Sequence, residues 1–534
     1  MRKDVNEAIE EIGFGRYQVV QAIILSGLWV SDGAEILIAS GTLPGLSNGW
    51  HIDPFMRSCL VSGIFAGVLF GNLLGGFVAD AIGRKSAIVI AYGGLILAGG
   101  SSCFASGAIS LLWARFVFGI FYGMGIGPSL AMQVETTPAA WRCHVVNFQY
   151  FALALGEVSA AVLLLFYTPQ LTSVEVELHW RWIVGIAIVP AACLFPFTAW
   201  FLQESPHYLV CNGMHDEAGK ALYKMAVLAD NMDAVQALAS AATCASDAPA
   251  VIIAPPSRST SRTPLVSPPP GNGIVKRGPA SSSVVEDFSF DENAGLRHRT
   301  SFKQRCSAVL HREYRGIVVG GIFLCFVSNF QFFGLTYALP QVFNQYGGVH
   351  LLPTVELLVV SLFNIPGVLL AFYVNRSHEI GHRDGLTTLA LVSGVLMLAL
   401  TSIDCGREFL WAGLPCAALA KFAGSALFAL TYTYLAEVFP SSIRATALSI
   451  CMAGGRLGSI AAPVLFEKLA VEGLTVGPHA PYMVVAALEC FASVVVVKNA
   501  LVFELKGEPL EDLPSSSAEM AGPPGMRRMP QHCP

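Results

Sequence analysis

The stretch Gly71–Lys85, GNLLGGFVADAIGRK, places four glycines in an apolar run that stops at Asp80, Gly83, Arg84 and Lys85. Glycine at this density lets helices approach closely in a membrane, where small-residue packing is the main adhesive. The charged residues cannot sit cheaply in hydrocarbon, so they mark a tight turn at the membrane surface. The reading is a membrane helix, a short basic turn and a second membrane helix over 86–104. An ordinary charged helix end accounts for part of this pattern, because basic turns are common at cytoplasmic membrane faces.

Composition points the same way. The 534 residues are 54% hydrophobic and only 13% charged, against roughly 25% charged in soluble domains. A mean hydropathy of +0.58 over this length places most of the chain in lipid. The thirteen cysteines are scattered, many inside apolar runs, and read as small hydrophobes rather than as a zinc or disulfide framework. The net charge of −5 is small. No nucleic-acid partner, metal or cofactor is expected.

About twelve apolar segments approach the ~20 residues needed to span a bilayer. They fall near 19–45, 56–79, 86–104, 109–132, 144–167 and 182–202, then 316–339, 354–374, 386–404, 409–434, 446–470 and 481–503. The expected class is therefore an all-α membrane protein of two six-helix bundles, over 1–202 and 316–505. A linker, 203–315, opens with a short amphipathic helix at 215–229. It then turns rich in Ala, Pro, Ser and Gly, with disorder expected at about 230–300. A tail over 506–534 follows.

Lys and Arg in the short loops set orientation. Arg84, Lys85, Arg142, Arg376, Arg383 and Arg444 share one side with the linker and both termini, so both ends are expected in the cytoplasm. Arg57, Arg181 and Arg407 lie on the other side.

An internal repeat carries the most weight. Glu135-Thr-Thr-Pro138 with Arg142 matches Glu437-Val-Phe-Pro440 with Arg444 at an offset of 302. Gly83-Arg84-Lys85 matches Gly381-His382-Arg383 at 298, and Glu204 matches Glu504 at 300. Three matches at nearly constant offset imply two homologous halves. That is the architecture of a rocking transporter with its site between the halves.

Gly76, Asp80, Gly83, Arg84 and Lys85 resemble the Gly-x-x-x-Asp-x-x-Gly-Arg-Lys signature of the major facilitator superfamily. Trp180-Arg181-Trp182, Glu204-Ser205-Pro206 and Glu504-Leu505-Lys506-Gly507 are similar to the sugar-porter branch. Trp29-Val-Ser-Asp32-Gly-Ala-Glu35-Ile resembles the first helix of the synaptic-vesicle-protein-related and organic ion transporter group. Two departures stand out: His207 follows Glu-Ser-Pro where Arg is usual, and no Asp precedes Gly381, the counted position being His378 or Asn375.

The resemblance implies a cytoplasmic gate made of Asp80, Gly83, Arg84, Glu135, Arg142 and Glu204 in one half, with Glu437, Arg444 and Glu504 in the other. Within the membrane it implies that Arg115, opening Arg-Phe-x-x-Gly119, pairs with Asp32, and that Asp32, Glu35 and Arg115 handle the coupling proton. Asp32 and Glu35 are three apart and share a helix face. A static buried pair is the plain alternative.

Lys421 and Arg456 lie about twelve residues into their segments, near mid-membrane. Asn329, Gln331 and Tyr337 add hydrogen-bonding groups among Phe330, Phe332 and Phe333. These five polar residues are the expected substrate contacts. With Asp32 and Arg115 neutralising each other, the cavity is expected to be net positive and to favour a carboxylate. Glu157 and Glu489 are intramembrane residues of open orientation.

Gly123-Met-Gly125-Ile-Gly127 lacks the Lys-Ser/Thr ending of a phosphate loop and lies inside a membrane segment, so an enzyme is not expected. The expectation is a monomeric secondary transporter of a small organic ion, proton-coupled, in the plasma membrane or a vesicle membrane. A sugar or organic cation carrier, and a non-transporting receptor that keeps the fold, are the alternatives.

Overall fold

The structure, a computed structural model, describes residues 5–229, 231, 312–346, 351–377, 381–402, 412–439, 441–471 and 480–492. The linker's low-complexity middle, His378, Glu504 and the tail lie outside these residues, as do the side chains of Glu437 and Arg444.

After a short α1 (Val5–Ile12), the first half runs α2 (Arg16–Gly49), α3 (Pro54–Ile82), α4 (Arg84–Ser102), α5 (Ala108–Thr136), α6 (Arg142–Tyr167) and α7 (Ser173–Trp200). Two short helices follow, α8 (Pro206–Cys211) and α9 (His215–Leu228). The second half runs α10 (Arg312–Tyr346), α11 (Pro353–Leu362), α12 (Asn364–Arg376), α13 (His382–Ser402), α14 (Leu414–Val438), α15 (Ser441–Val471) and α16 (Ala480–Phe491). Ten segments among the described residues are long and apolar enough to cross a membrane. With α4 and α16 they make the twelve-helix, two-bundle fold.

Glycine spacing sets the tightest contact. On α3, Gly67, Gly71 and Gly75 recur every fourth residue and press on the α5 backbone, where Gly119 and Gly123 return the contact. A Cβ on Gly71 would stand 2.1 Å from the Ile120 carbonyl, so only glycine fits. Gly76 faces open space and takes no part.

The eighth span breaks between α11 and α12. Pro366 has no N–H for the Leu362 carbonyl, so the helix tightens at Phe363 and restarts at Asn364. This break puts a buried amide side chain at the seam between the halves, next to α6.

Arg57 and Gly83 sit at opposite ends of α3 and mark the two membrane faces. On the Gly83 face, α1, α8 and α9 close over a small apolar core of Val5, Ile9, Ile12, Leu209, Leu222 and Met225. The sequence reading anticipated α9 but not α1. The polar residues Glu7, Glu10 and Glu11 hide a buried stripe of Val5, Ala8, Ile9 and Ile12 at helical spacing.

Candidate functional site

In the first half the structure brings Asp80, Gly83, Arg84, Glu135 and Glu204 together and leaves Arg142 aside. Gly83 takes φ +99°, and a Cβ there would meet Glu204 Oε2 at 2.3 Å, so both backbone and space require glycine. Glu204 Oε1 accepts from the N–H groups of Arg84 (2.8 Å) and Lys85 (3.1 Å), placing a carboxylate on the N-terminus of α4. Arg84 Nη1 lies 3.3 Å from Asp80 Oδ1 and its Nε 3.5 Å from Glu135 Oε2. Glu135 also accepts from the Ser205 hydroxyl. The guanidinium covers the Tyr208 ring at 4.9 Å; burial, reinforced by Glu204, pushes that phenol's pKa up. Arg142 instead donates to the Thr137 carbonyl at 3.1 Å. Every bond named here stays within one half.

The buried charges pair differently from the expectation. Arg115 Nε lies 3.4 Å from Glu35 Oε1, not against Asp32. Three residues of helix separate Asp32 and Glu35 by about 60° around the axis and about 4.5 Å along it. That is enough to send Glu35 toward α5 and Asp32 toward the seam.

At the seam Asp32 faces Tyr122 and Arg456, the latter from α15 of the other half. Asp32 Oδ1, Tyr122 Oη and Arg456 Nε and Nη1 are all buried without a hydrogen-bond partner. Unmade bonds of this kind are expensive in a closed protein and are supplied elsewhere by a ligand or water. Rings surround them. Trp29 packs edge-on to Tyr150 at 5.3 Å, Tyr150 stacks on Tyr432 at 5.7 Å across the seam, and Arg456 lies 5.9 Å from the Phe333 centroid. Asn329 donates to Tyr432 Oη at 2.7 Å and accepts from Ser459, bracing this wall.

Lys421 is the second correction. Its ammonium lies 3.2 Å from Glu157 Oε2 on α6, so its charge is already matched. Asn364 Nδ2 donates to the same carboxylate at 2.5 Å. Among the described residues three carboxylates (Asp32, Glu35, Glu157) thus face three cations (Arg115, Lys421, Arg456), in place of the expected positive excess. A crevice beside the pair is lined by Leu37, Leu339, Leu357, Val360 and Ser361.

Two further residues lie away from this centre. Gln331, two positions from Asn329, turns into the second bundle and donates to Ser393, near Glu489. Tyr337 sits toward the Arg57 face and donates to Glu467 Oε1 at 2.8 Å, while Arg57 bonds Glu467 Oε2 at 2.9 Å. The expected set thus divides: Asp32, Lys421 and Arg456 gather at the centre of the seam with Asn329 bracing its wall, while Gln331 turns into its own bundle and Tyr337 joins the pair at the far face. Tyr122, Tyr150, Tyr432 and the Arg57–Glu467 pair were missed. Only Tyr122 had a readable signal, lying two turns after Arg115 on the same helix.

The family pattern described as "Sugar (and other) transporter" matches residues 50–248 and 287–516. The chain is 26% identical to the organic cation/carnitine transporter 7 of Arabidopsis thaliana, over 97% of this chain and 98% of that one. It is 24% identical to the synaptic vesicle 2-related protein of Bos taurus, over 95% and 82%. The xylose transporter XylE from E. coli, in a partially occluded inward-open conformation, superposes with TM-score 0.65 at 18% identity, over 92% of this chain and all of that one. With most of its length matched by the family pattern and its halves folded as described, this chain is a transporter of the sugar (and other) transporter family, in the major facilitator superfamily.

Proposed function

We propose that the chain moves a small, carboxylate-bearing organic ion by alternating access, with Asp32 carrying a coupling proton. The Gly83 face, with its Arg84 and Lys85, is the cytoplasmic one. The observation that carries this reading is the set of unpartnered polar atoms on Asp32, Tyr122 and Arg456, buried where the halves meet. Arg456 Nε and Nη1 each hold an N–H able to donate to a carboxylate, and Tyr122 adds a third donor. The rings of Trp29, Tyr150 and Phe333 offer an apolar bed for the rest of the molecule. Asp32 faces Arg456, so a bound anion favours its protonation, and release of the anion favours loss of the proton.

An organic cation is the second reading. Asp32 among Trp29 and Tyr150 also suits a positive nitrogen, and one relative is named for cation and carnitine transport. Proteoliposomes separate the two. A panel of organic anions and cations is tested for uptake driven by an imposed pH gradient, in wild type and Asp32→Asn. The proposal predicts gradient-driven anion accumulation that Asp32→Asn abolishes while exchange persists. Accumulation by Asp32→Asn at the wild-type level refutes the coupling role; accumulation of cations alone refutes the substrate sign.

A further inference from the structure

The Lys421 ammonium lies in a ring of oxygens that crosses the seam. Glu157 Oε2 and Oε1 are 3.2 and 3.4 Å away, the Phe332 carbonyl is at 3.3 Å, and the Thr336 hydroxyl is a further partner. The Phe332 ring faces the ammonium at 3.9 Å. Asn364, bonded to the same carboxylate, leaves its own Oδ1 buried and without a partner. An ammonium has three N–H groups, fewer than the acceptors around this one. That surplus is the makeup of a cation cage rather than of a minimal ion pair.

Ownership of the ring matters. Lys421, Phe332, Thr336 and Asn364 belong to the second half, and Glu157 alone belongs to the first. When the halves part, Lys421 keeps the Phe332 carbonyl and Thr336. Glu157 keeps neither its cation nor the Asn364 amide. Of the crevice residues only Leu37 stays with it, and when the seam closes again over Leu339, Leu357 and Val360 the carboxylate requires a positive charge.

We propose that Glu157 is a subsite for the ammonium group of an amine ligand, and that Lys421 is its tethered stand-in, filling the subsite when the seam closes empty. The ligand class is a primary or secondary amine. The ring's oxygens call for N–H donors, which a quaternary nitrogen lacks, and the side chains beside the carboxylate are mostly apolar, suited to a ligand's alkyl carbons. The inference rests on the halves moving apart, not on proton coupling or on the carboxylate of the substrate.

The test is chemical rescue of the purified full-length chain, read as its thermal unfolding midpoint. Lys421→Ala should unfold at lower temperature than wild type. Methylammonium or ethylammonium at tens of millimolar should restore at least half of that loss. Tetramethylammonium and sodium should not, and neither amine should rescue Lys421→Ala/Glu157→Gln. Equal rescue by tetramethylammonium, equal rescue without Glu157, or no rescue overturns the proposal. Lys421→Gln, which keeps most of the side chain's bulk, guards against a variant that fails to fold. With the internal competitor gone, it should respond to ethylammonium at about tenfold lower concentration than wild type. An identical dose dependence in the two chains also overturns the proposal. None of these readouts involves transport, so failure here leaves the uptake result with Asp32→Asn standing, and the reverse.

Discussion

Around Gly83, Arg84 meets Asp80, Glu135 and, through its backbone, Glu204, all in the first half, and the Asp80 side chain is 60% exposed. Around Lys421, the ammonium meets Glu157 across the seam, and the two side chains are 3% and 1% exposed. The residue types are the same and the consequences opposite. Charges confined to one half travel with it as a rigid body and barely register which way the transporter faces. Charges shared between halves must separate before the halves can move, so they weight the populations of the states. Arg57 and Glu467 belong to the second kind, joining α3 to α15 on the far face with Tyr337 as a third member.

The largest expected effect is at the buried pair. Glu157→Ala leaves the Lys421 ammonium uncompensated and should cost about 3–5 kcal/mol in thermal or denaturant unfolding. Replacing both partners together, Glu157→Leu with Lys421→Met, should recover most of it. A loss from Glu157→Ala no greater than that from a surface pair would erase the contrast drawn here.

Gly83→Ala comes next, at about 1–3 kcal/mol for an alanine forced into a left-handed conformation, with the Glu204 clash added. It should lower the unfolding midpoint yet leave access to the seam unchanged, since its contacts are internal to one half. Arg57→Ala should do the reverse. Loss of a charged hydrogen bond of about 1–2 kcal/mol shifts an equilibrium roughly 5–30-fold. That shift should appear as faster thiol labelling of Ser62→Cys, a buried position whose native hydroxyl donates across the seam to the Ile460 carbonyl. The charge swap Arg57→Glu/Glu467→Arg should slow the labelling again. The smallest effect is expected from Asp80→Asn, at about 0–1 kcal/mol for an exposed pair, with the unfolding midpoint nearly unmoved.

The two regions also differ in how far the sequence revealed them. The Gly83 cluster was readable because its members occupy a local signature and a repeat at constant offset, and its geometry follows from one turn. Gly71 and Gly75 were readable for the same reason, whereas Gly76 differs from Gly75 only by a rotation about the helix. The twelve-span pattern needed nothing beyond hydropathy and segment length. Pairing inside the membrane is another matter. Glu157 and Lys421 are 264 residues apart, and no periodicity links them. Asp32 and Glu35 were recognisable as costly buried carboxylates, but which one meets Arg115 depends on how α2 rotates against α5. Asn329 and Gln331 looked equivalent, yet two positions along a helix turned one to the seam and the other into its own bundle.

The central claim, that charges across the seam set its closure while charges within one half do not, is tested most directly by a distance across the far face. Spin labels at Phe55→Cys and Lys468→Cys, both exposed positions beside the Arg57–Glu467 pair, report the gap by pulsed electron resonance once the native cysteines are replaced. The wild-type background should give a short, dominant distance. Adding Arg57→Ala should introduce a second, longer population, and adding Asp80→Asn should leave the wild-type distribution in place. Identical distributions in all three chains, or an equal shift from Asp80→Asn, would contradict the account.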